Sequence, residues 1–237
     1  MKKTFIFGLI AAALGFTACS SEDDLNVNNN QNNLTIFPFG QGEAEAKGIG
    51  KVKWVQLWEN GPRFAEFNVG ANSATEYGGY YTWGGTYNNN PALEGFTWTD
   101  DHNEGESNLS CTGDNITDTA TKLWGSNWRM PTQEELAALL NQRNCICTWT
   151  ENYKGTGVTG LLCTGMYAYS SNSVFLPAAG FCYYGHVNNY VSEGHYWSST
   201  PNDYFEAYNL YFRSDFQRGV VGFDRDDGYS VRAVLAE

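Results

Sequence analysis

The stretch DTATKLWGSNWRMPTQEELAALLNQ, residues 118–142, carries the strongest helix signals of this 237-residue chain. Thr132 stands three residues before Glu135, the spacing of a capping box, in which each side chain accepts a hydrogen bond from the other residue's backbone N–H. Three leucines then share one helical face, namely Leu136, Leu139 and Leu140. We therefore expect one helix that begins after Thr132 and a shorter one within residues 118–125.

Outside this stretch the pattern changes to short segments of alternating apolar and polar residues, broken by Gly, Asn and Pro. Such segments are typical of β-strands. The clearest are RFAEFNVGA (63–71), GGYYTWGG (78–85), NSVFLPAAGF (172–181), HYWSSTP (195–201), AYNLYFRS (207–214) and YSVRAVLA (229–236). Two short helices with many strands predict an α+β domain with a twisted, mostly antiparallel sheet.

The N-terminus resembles a bacterial lipoprotein signal. Lys2 and Lys3 precede a short apolar core, and Cys19 follows small residues where cleavage is expected. We expect residues 1–18 to be removed as a signal peptide and Cys19 to be lipidated; an ordinary signal peptide beside a cysteine is the alternative. The acidic SSEDD after Cys19 resembles the surface-export signal of Bacteroidota lipoproteins, which implies a lipid-anchored protein of the outer membrane, exposed at the cell surface.

Composition divides the remainder of the chain and limits its partners. Residues 19–50 hold few side chains to bury, so we expect a lipidated cysteine with a flexible, Asn-rich tether, followed by a globular domain at 51–237. The chain has 14 Lys and Arg against 26 Asp and Glu, a net charge of −12. Nucleic-acid binding needs clustered cations and is excluded. We expect the membrane to be contacted through the acyl anchor only.

Cysteines and acidic residues give no clear metal site. Five cysteines follow Cys19, namely Cys111, Cys145, Cys147, Cys163 and Cys182, so at least one is free or pairs between chains, and the pairing stays open. The two at 145 and 147 lack the second pair that a zinc site needs. The acidic loop at 99–107 could bind calcium, but its spacing is not that of an EF-hand, so we expect a solvated loop. We expect no metal and no cofactor.

Several blocks, in this order, resemble the Fibrobacter succinogenes major paralogous domain: NVGANSATEYGGYYTWGG, DTATKLWGSNWRMPTQEELAALL, VFLPAAGF, HYWSSTP and DGYSVRAV. The resemblance spans about residues 67–234. It implies a C-type-lectin-like fold, related to that of formylglycine-generating enzymes, in an exported or surface protein. Five large side chains of these blocks are expected to be structural, namely Trp124, Trp128, Trp197, Arg129 and Arg232.

The enzyme alternative has little support in the sequence. Formylglycine-generating enzymes rely on a late pair of cysteines, but no cysteine follows Cys182. No Ser or Cys stands in a recognisable nucleophile motif with any of the three histidines. We therefore predict no catalytic residues and no enzyme activity.

The segment NDYFEAYNLYFRSDF, residues 202–216, contains six aromatic residues. Strand alternation places Asn209 and Tyr211 on the face opposite Leu210 and Phe212. Tyr and Asn together resemble the composition of an adaptable binding surface, and exposed aromatic residues beside Arg are typical of binding hot spots. The alternative, that these tyrosines pack on neighbouring loops, stays open.

We predict that a monomer binds a protein or glycan ligand through this C-terminal region, without catalysis. A structural or adhesive subunit of the cell envelope or of a pilus is the alternative. The predicted ligand-binding residues are Asn188, Tyr190, His195, Asp203, Tyr204, Phe205, Tyr211, Arg213, Asp215, Phe216, Arg218, Phe223 and Arg225.

The composition of residues 181–232 raises one more hypothesis. Lys and Met are absent, and Glu, Gln and Trp supply only Glu193, Glu206, Gln217 and Trp197. AAC and AAT codons mutated at adenines cannot yield these five residue types. Some lectin-like proteins similar to this one are diversified in this way by retroelements, so the C-terminal region could be a diversified one. A C-terminus that is simply rich in Tyr, Ser, Gly and Asn is the alternative.

Overall fold

The computed structural model describes residues 37–89 and 118–236, which lie in one compact unit, Ile36–Glu237. Several predictions concern residues outside these ranges: the signal peptide, Cys19, most of the tether, the acidic loop at 99–107 and Cys111. Within the described ranges, no helix is long and apolar enough to cross a membrane.

Two α-helices lie where the sequence predicts them: α1 at Thr119–Trp124 and α2 at Gln133–Leu140. The capping box of α2 is confirmed, because Glu135 N–H donates to Thr132 Oγ1 at 3.2 Å and Thr132 N–H donates to Glu135 Oε2 at 2.8 Å. Asp118 caps α1 by accepting a hydrogen bond from the N–H of Thr121. Local side-chain hydrogen bonds therefore fix the start of both helices.

Thirteen strands, joined by turns and loops, lie in the remaining described structure. Their bounds are β1 Gln41–Ala46, β2 Gly50–Gln56, β3 Arg63–Ala65, β4 Trp128–Arg129, β5 Cys145–Thr150, β6 Gly160–Gly165, β7 Ser173–Pro177, β8 Phe181–Tyr183, β9 His186–Asn188, β10 Glu193–Pro201, β11 Glu206–Arg213, β12 Arg218–Asp224 and β13 Val234–Leu235.

The strands form four sheets where the sequence predicts one. These are β1-β2-β3-β13-β4, β10-β11-β12, β5-β6-β7 and the hairpin β8-β9. Every strand pair within them is antiparallel. The α+β class with two short helices and antiparallel strands is thus confirmed.

The globular part begins earlier than the predicted boundary at residue 51. Strand β1 pairs with β2 along its whole length, so residues 41–50 belong to the domain and not to the tether. Their composition looks loose because a strand of an antiparallel sheet with one face toward water needs apolar groups on the other face only. Here Ala46 is buried, and Gly42 leaves the space that the indole of Trp54 occupies.

Of the strand predicted at 63–71, only the three residues of β3 form. Two further predicted strands are mostly absent. The segment at 78–85 forms a single bridge, between Tyr81 and Tyr229. The segment at 229–236 contributes that bridge, a second one between Ser230 and Tyr196, and the two residues of β13. Both segments are buried, and their backbone N–H groups bond neighbouring loops: Tyr81 N–H donates to Tyr229 O and Trp83 N–H donates to Arg225 O. In these two segments the alternation of apolar residues therefore reflects packing between buried loops and not a strand in a sheet.

Large aromatic residues fill the core, as predicted for the tryptophans. Trp124, Trp128 and Trp197 are at most 3% exposed, and the last two donate their indole N–H to the backbone carbonyls of Glu45 and Tyr81. Both arginines predicted to be structural also have ordered partners. Arg129 donates two hydrogen bonds of 2.7 Å to the carboxylate of Glu135, and Arg232 is fully buried.

One disulfide joins Cys147 of β5 to Cys163 of β6, which lie opposite each other in the ladder. The thiols of Cys145 and Cys182 are buried, and burial raises the pKa of each to about 11. Cys145 Sγ lies 4.0 Å from Cys147 Sγ. The pairing that the sequence leaves open is therefore settled for the four cysteines of the described ranges.

Candidate functional site on the sheet β10-β11-β12

The residues predicted to bind ligand fall at two ends of one sheet. Residues 202–205, here the first turn, join β10 to β11, and residues 214–217, the second turn, join β11 to β12. Strand β11 has eight residues, which at ~3.3 Å per residue places the two turns about 25 Å apart. The predicted site is therefore two separate groups connected by a sheet.

The first turn presents Tyr204 and Phe205, which are 49% and 70% exposed and whose rings lie 4.8 Å apart. Asp203 fixes the backbone of the turn, because its Oδ1 accepts hydrogen bonds of 2.8 Å from the N–H groups of Phe205 and Glu206. The two aromatic rings are thus held outward on a rigid turn.

Arg225 is buried beneath the first turn, so the prediction that it contacts a ligand is wrong. It is 1% exposed and lies over the ring of Trp83 at 4.3 Å. Its guanidinium donates to the backbone carbonyls of Asp203 and Glu206. The side chain is buried because these two carbonyls point into the domain. By bonding them, Arg225 positions the first turn.

The second turn presents Phe216, which is 78% exposed and has a φ of 70°. Beside it, Arg213 and Asp215 are exposed, with Arg213 Nη2 3.5 Å from Asp215 Oδ2. Hydrogen bonding with Tyr211 and the charge of Asp215 raise the pKa of Arg213. This end of the sheet therefore combines an apolar ring with both signs of charge.

The loop before β10 joins this second group. Ser214 N–H donates to Ser192 O at 2.9 Å, which brings the loop beside the second turn. Tyr190 and Val191 on the loop are 55% and 49% exposed. Arg218, at the start of β12, points back and donates to Cys147 O at 2.8 Å, so it is half-buried.

His195 lies in the middle of the sheet and is 4% exposed, so its predicted contact with a ligand is also wrong. Four aromatic rings enclose it at centroid distances of 4.7 to 5.6 Å, namely Phe181, Tyr211, Phe223 and Tyr229. Its Nε2 lies 3.5 Å from Glu193 Oε1, and this interaction is the main cause that lowers the pKa of Glu193.

A strip on one face of the sheet, here called the outer path, connects the two turns. It consists of Tyr211, Val221 and Phe223. Pairing of β11 with β12 places these side chains on the same face. Val221 is 40% exposed, and Tyr211 and Phe223 are half-buried. Asn209 lies on this face as alternation predicts, but it is fully buried and donates to Val221 O, so it is not a contact residue.

The β8-β9 hairpin was not among the predicted elements of the site, although its Tyr183 and Tyr184 are 46% and 63% exposed. Cys182 and Gly228 exchange backbone hydrogen bonds of 2.8 and 2.7 Å, which places the hairpin beside the turn at 224–227. Burial and the charges of Tyr184 and of the acids on that turn raise the pKa of Tyr183. The sequence signal was available: two tyrosines directly before a glycine, at the tip of a short alternating segment.

Asn188 of β9, one of the predicted ligand-binding residues, is half-buried, and its side-chain amide donates to His186 O.

The acidic turn beside this hairpin is itself partly buried. Tyr229 Oη donates to Asp227 Oδ2 at 2.7 Å, and burial raises the pKa of Asp227 above its usual value. Within the described ranges, no group of three or more His, Cys, Asp or Glu side chains is placed to hold a metal ion.

No protein-family model, no curated protein and no solved structure matches this chain. The function of the candidate site is therefore inferred from its geometry. Rigid turns, outward rings and flanking charges are suited to surface-to-surface binding.

Proposed function

We propose that this chain is a monomeric, lipid-anchored surface protein whose sheet β10-β11-β12 binds a protein or an extended glycan without catalysis. The proposal takes the domain to be C-type-lectin-like, of the Fibrobacter succinogenes major paralogous type. The α+β architecture, the capped helix α2 and the buried tryptophans of the resembling blocks support that assignment.

Phe216 is the observation that carries the binding proposal. A left-handed backbone costs an L residue other than glycine about 1–2 kcal/mol, and Phe216 adopts it with a φ of 70°. Its ring is 78% exposed, so little core burial offsets that cost. Tyr167 shares both properties but lies outside the site. What distinguishes Phe216 is its position beside the ion pair of Arg213 and Asp215, a combination of ring and charge that is typical of binding hot spots.

The size of the site favours a large ligand. The first and second turns lie about 25 Å apart, and the outer path connects them with apolar surface. A standard protein interface covers about 800 Å² on each partner, which is a patch of this width. Tyr and Phe suit such a patch because they supply area with little ordering entropy.

A test begins with an array of glycans and host proteins and continues with variants of each turn. Tyr204→Ala with Phe205→Ala alters the first turn, and Phe216→Gly alters the second. We expect each variant to weaken binding by about 30-fold or more, because both turns contribute hot spots. The midpoint of thermal unfolding is expected to stay within a few degrees of the wild type, and Phe216→Gly is expected to keep or raise it.

Tyr167→Gly is the matched control for this test. Tyr167 is 90% exposed with a φ of 53°, but it precedes β7, outside the proposed site. It is expected to bind as the wild type does. Dependence on one turn alone would refute the extended site, and loss of folding in the turn variants would show that these rings are structural. Assembly of the purified protein into polymers would favour a structural subunit.

The anchor is the second part of the proposal and rests on the N-terminal sequence. Cys19→Ser removes the thiol that would be acylated, so the protein is expected to leave the membrane fraction or to keep its leader. Metabolic labelling with a fatty acid, followed by fractionation, measures this directly. A Cys19→Ser protein that still takes up the label would contradict the proposal.

Diversification of the site is the third part of the proposal. Nine positions of the adenine-accessible types are exposed or half-buried, namely Tyr204, Phe205, Tyr211, Arg213, Asp215, Phe216, Arg218, Phe223 and Asp224. Of the four residues of types that adenine mutation cannot produce, Trp197 and Glu193 are buried, Glu206 is half-buried and Gln217 is exposed. The complete genome sequence tests this part. Diversification requires a template copy of the 3′ end of the gene that differs only at adenines and lies beside a reverse-transcriptase gene, and its absence would remove this part of the proposal.

A further inference from the structure

A cleft of about 270 Å³ lies away from the sheet β10-β11-β12. Strands β1, β2 and β3 form one side of it, and the turn after β5 and the start of β7 form the other. Its polar wall groups include Gln41, Lys53, Lys154, Ser171 and Ser173. Small-molecule sites usually measure about 300–1,000 Å³, and this cleft lies just below that range, so it suits a ligand part of about one ring.

Positive charge gathers at this cleft although the chain as a whole is acidic. Lys53 and Lys154 are exposed at its walls, and neither forms an ion pair within the described part of the chain. Glu66 is the single carboxylate among the described lining residues. With 26 acids against 14 Lys and Arg, two lysines in one concavity without a carboxylate partner are unexpected for a purely structural surface.

A buried cation adds to this charge from behind the wall. Arg232 is 1% exposed, and its guanidinium donates to the backbone carbonyls of Ala65 at 3.1 Å and Phe175 at 2.9 Å, both residues of the cleft. Its remaining hydrogen bonds go to Glu66 O and Asn68 Oδ1. All four acceptors are neutral, so no bonded carboxylate cancels the charge. Burial lowers the pKa of Arg232 to about 10, which leaves it charged at neutral pH.

We infer that this cleft binds the anionic unit of an acidic saccharide, a sugar ring that carries a carboxylate or a sulfate. Lys53 on one wall and Lys154 on the other each offer the cleft an ammonium group, which is the natural partner of an acid group. The hydroxyls of Ser171 and Ser173 and the amide of Gln41 offer partners for ring hydroxyls, and Gln41 is held by a 2.8 Å bond to Asn172 Oδ1. Trp54 lines the same wall, with the guanidinium of Arg63 5.2 Å from its ring.

This site is independent of the aromatic site on β10-β11-β12, so each can fail alone. The test titrates the full chain, by calorimetry, with a galacturonic acid trisaccharide, a sulfated galactose trisaccharide, neutral galactotriose and inorganic phosphate. We expect one of the acidic trisaccharides to bind at least about tenfold more tightly than galactotriose and phosphate, and added salt to weaken it.

Lys53→Gln with Lys154→Gln is expected to weaken that binding by at least about tenfold. Lys47→Gln with Lys122→Gln is the matched control, because it removes the same charge from exposed lysines that do not line the cleft. It is expected to bind as the wild type does. Four results would overturn the inference. These are equal binding of neutral and acidic sugars, equal loss of binding in both double variants, a phosphate affinity as high as that of the sugars, and no binding at all.

Discussion

Arg232→Ala is expected to lower the free energy of unfolding by about 3–4 kcal/mol. The wild-type guanidinium donates to three buried acceptors and to the partly buried carbonyl of Glu66, and these bonds bridge β3 and its following loop to β7. Each buried acceptor left without a donor costs about 1–3 kcal/mol, and the truncated side chain also leaves a cavity. Removing the burial cost of one charge offsets part of that sum. Urea unfolding of the full chain measures the difference.

Two further variants separate geometry from charge. Arg232→Lys keeps a positive charge but cannot reproduce the planar fork of donors, so we expect an intermediate loss of stability. Arg143→Ala removes an exposed arginine and is expected to change stability by less than about 0.5 kcal/mol. An Arg232→Ala protein within about 1 kcal/mol of the wild type would show that the buried bonds contribute little.

Local sequence signals predicted the features that local chemistry determines. The capping box of Thr132 and Glu135 is made by residues three apart, so spacing alone identified the start of α2. Alternation in β11 depends on strand geometry and correctly placed Leu210 opposite Tyr211. Burial of the tryptophans follows from their size and from the need of each indole N–H for an acceptor.

Burial of polar residues depended on distant partners and was not predictable in the same way. Arg225 was predicted to contact a ligand, among the loops and outward strand positions of residues 188–225. It is buried because the carbonyls of the first turn, about 20 positions earlier in the chain, and the ring of Trp83 converge on it. His195 is enclosed by rings from four separate segments, which no window of sequence around it contains.

The division of the site into two groups was, in contrast, available from the sequence. Two consecutive hairpins place successive turns at opposite ends of a sheet. The segments NDYF at 202–205 and SDFQ at 214–217 flank one eight-residue strand, so their aromatic residues had to lie at opposite ends. Antiparallel pairing therefore divides residues 188–225 between two ends of the sheet, whereas the prediction placed them on one surface.

Replacing both Cys147 and Cys163 by serine is expected to lower the free energy of unfolding by about 3 kcal/mol. The two residues are 16 apart in sequence, and a disulfide that closes a loop of this length restricts the unfolded chain by about that amount. Both cysteines are buried in the core cluster that includes Leu139 and Leu161, so the hydroxyls of the serines add a cost of burial.

The double variant is preferable to either single one because of Cys145. Its Sγ lies 4.0 Å from Cys147 Sγ, so a variant lacking only Cys163 could form a new bond between the two remaining neighbours. In the intact protein, burial raises the pKa of the Cys145 thiol to about 11. Because the thiolate is the attacking species, this thiol is expected not to exchange with the disulfide while the domain is folded.

Reductant supplies the independent measurement. Under reducing conditions the urea midpoint of the wild type is expected to fall toward that of the double variant and to stay above it, because the variant also buries two serine hydroxyls. The double variant should be unaffected by reductant, and Cys145→Ala should respond as the wild type does. A wild-type midpoint that does not move with reductant would contradict the assigned pairing, provided that thiol alkylation confirms reduction. Because the buried Cys145 thiol is protonated, alkylation of this residue should follow global unfolding and should be slower in the oxidised protein than in the reduced one.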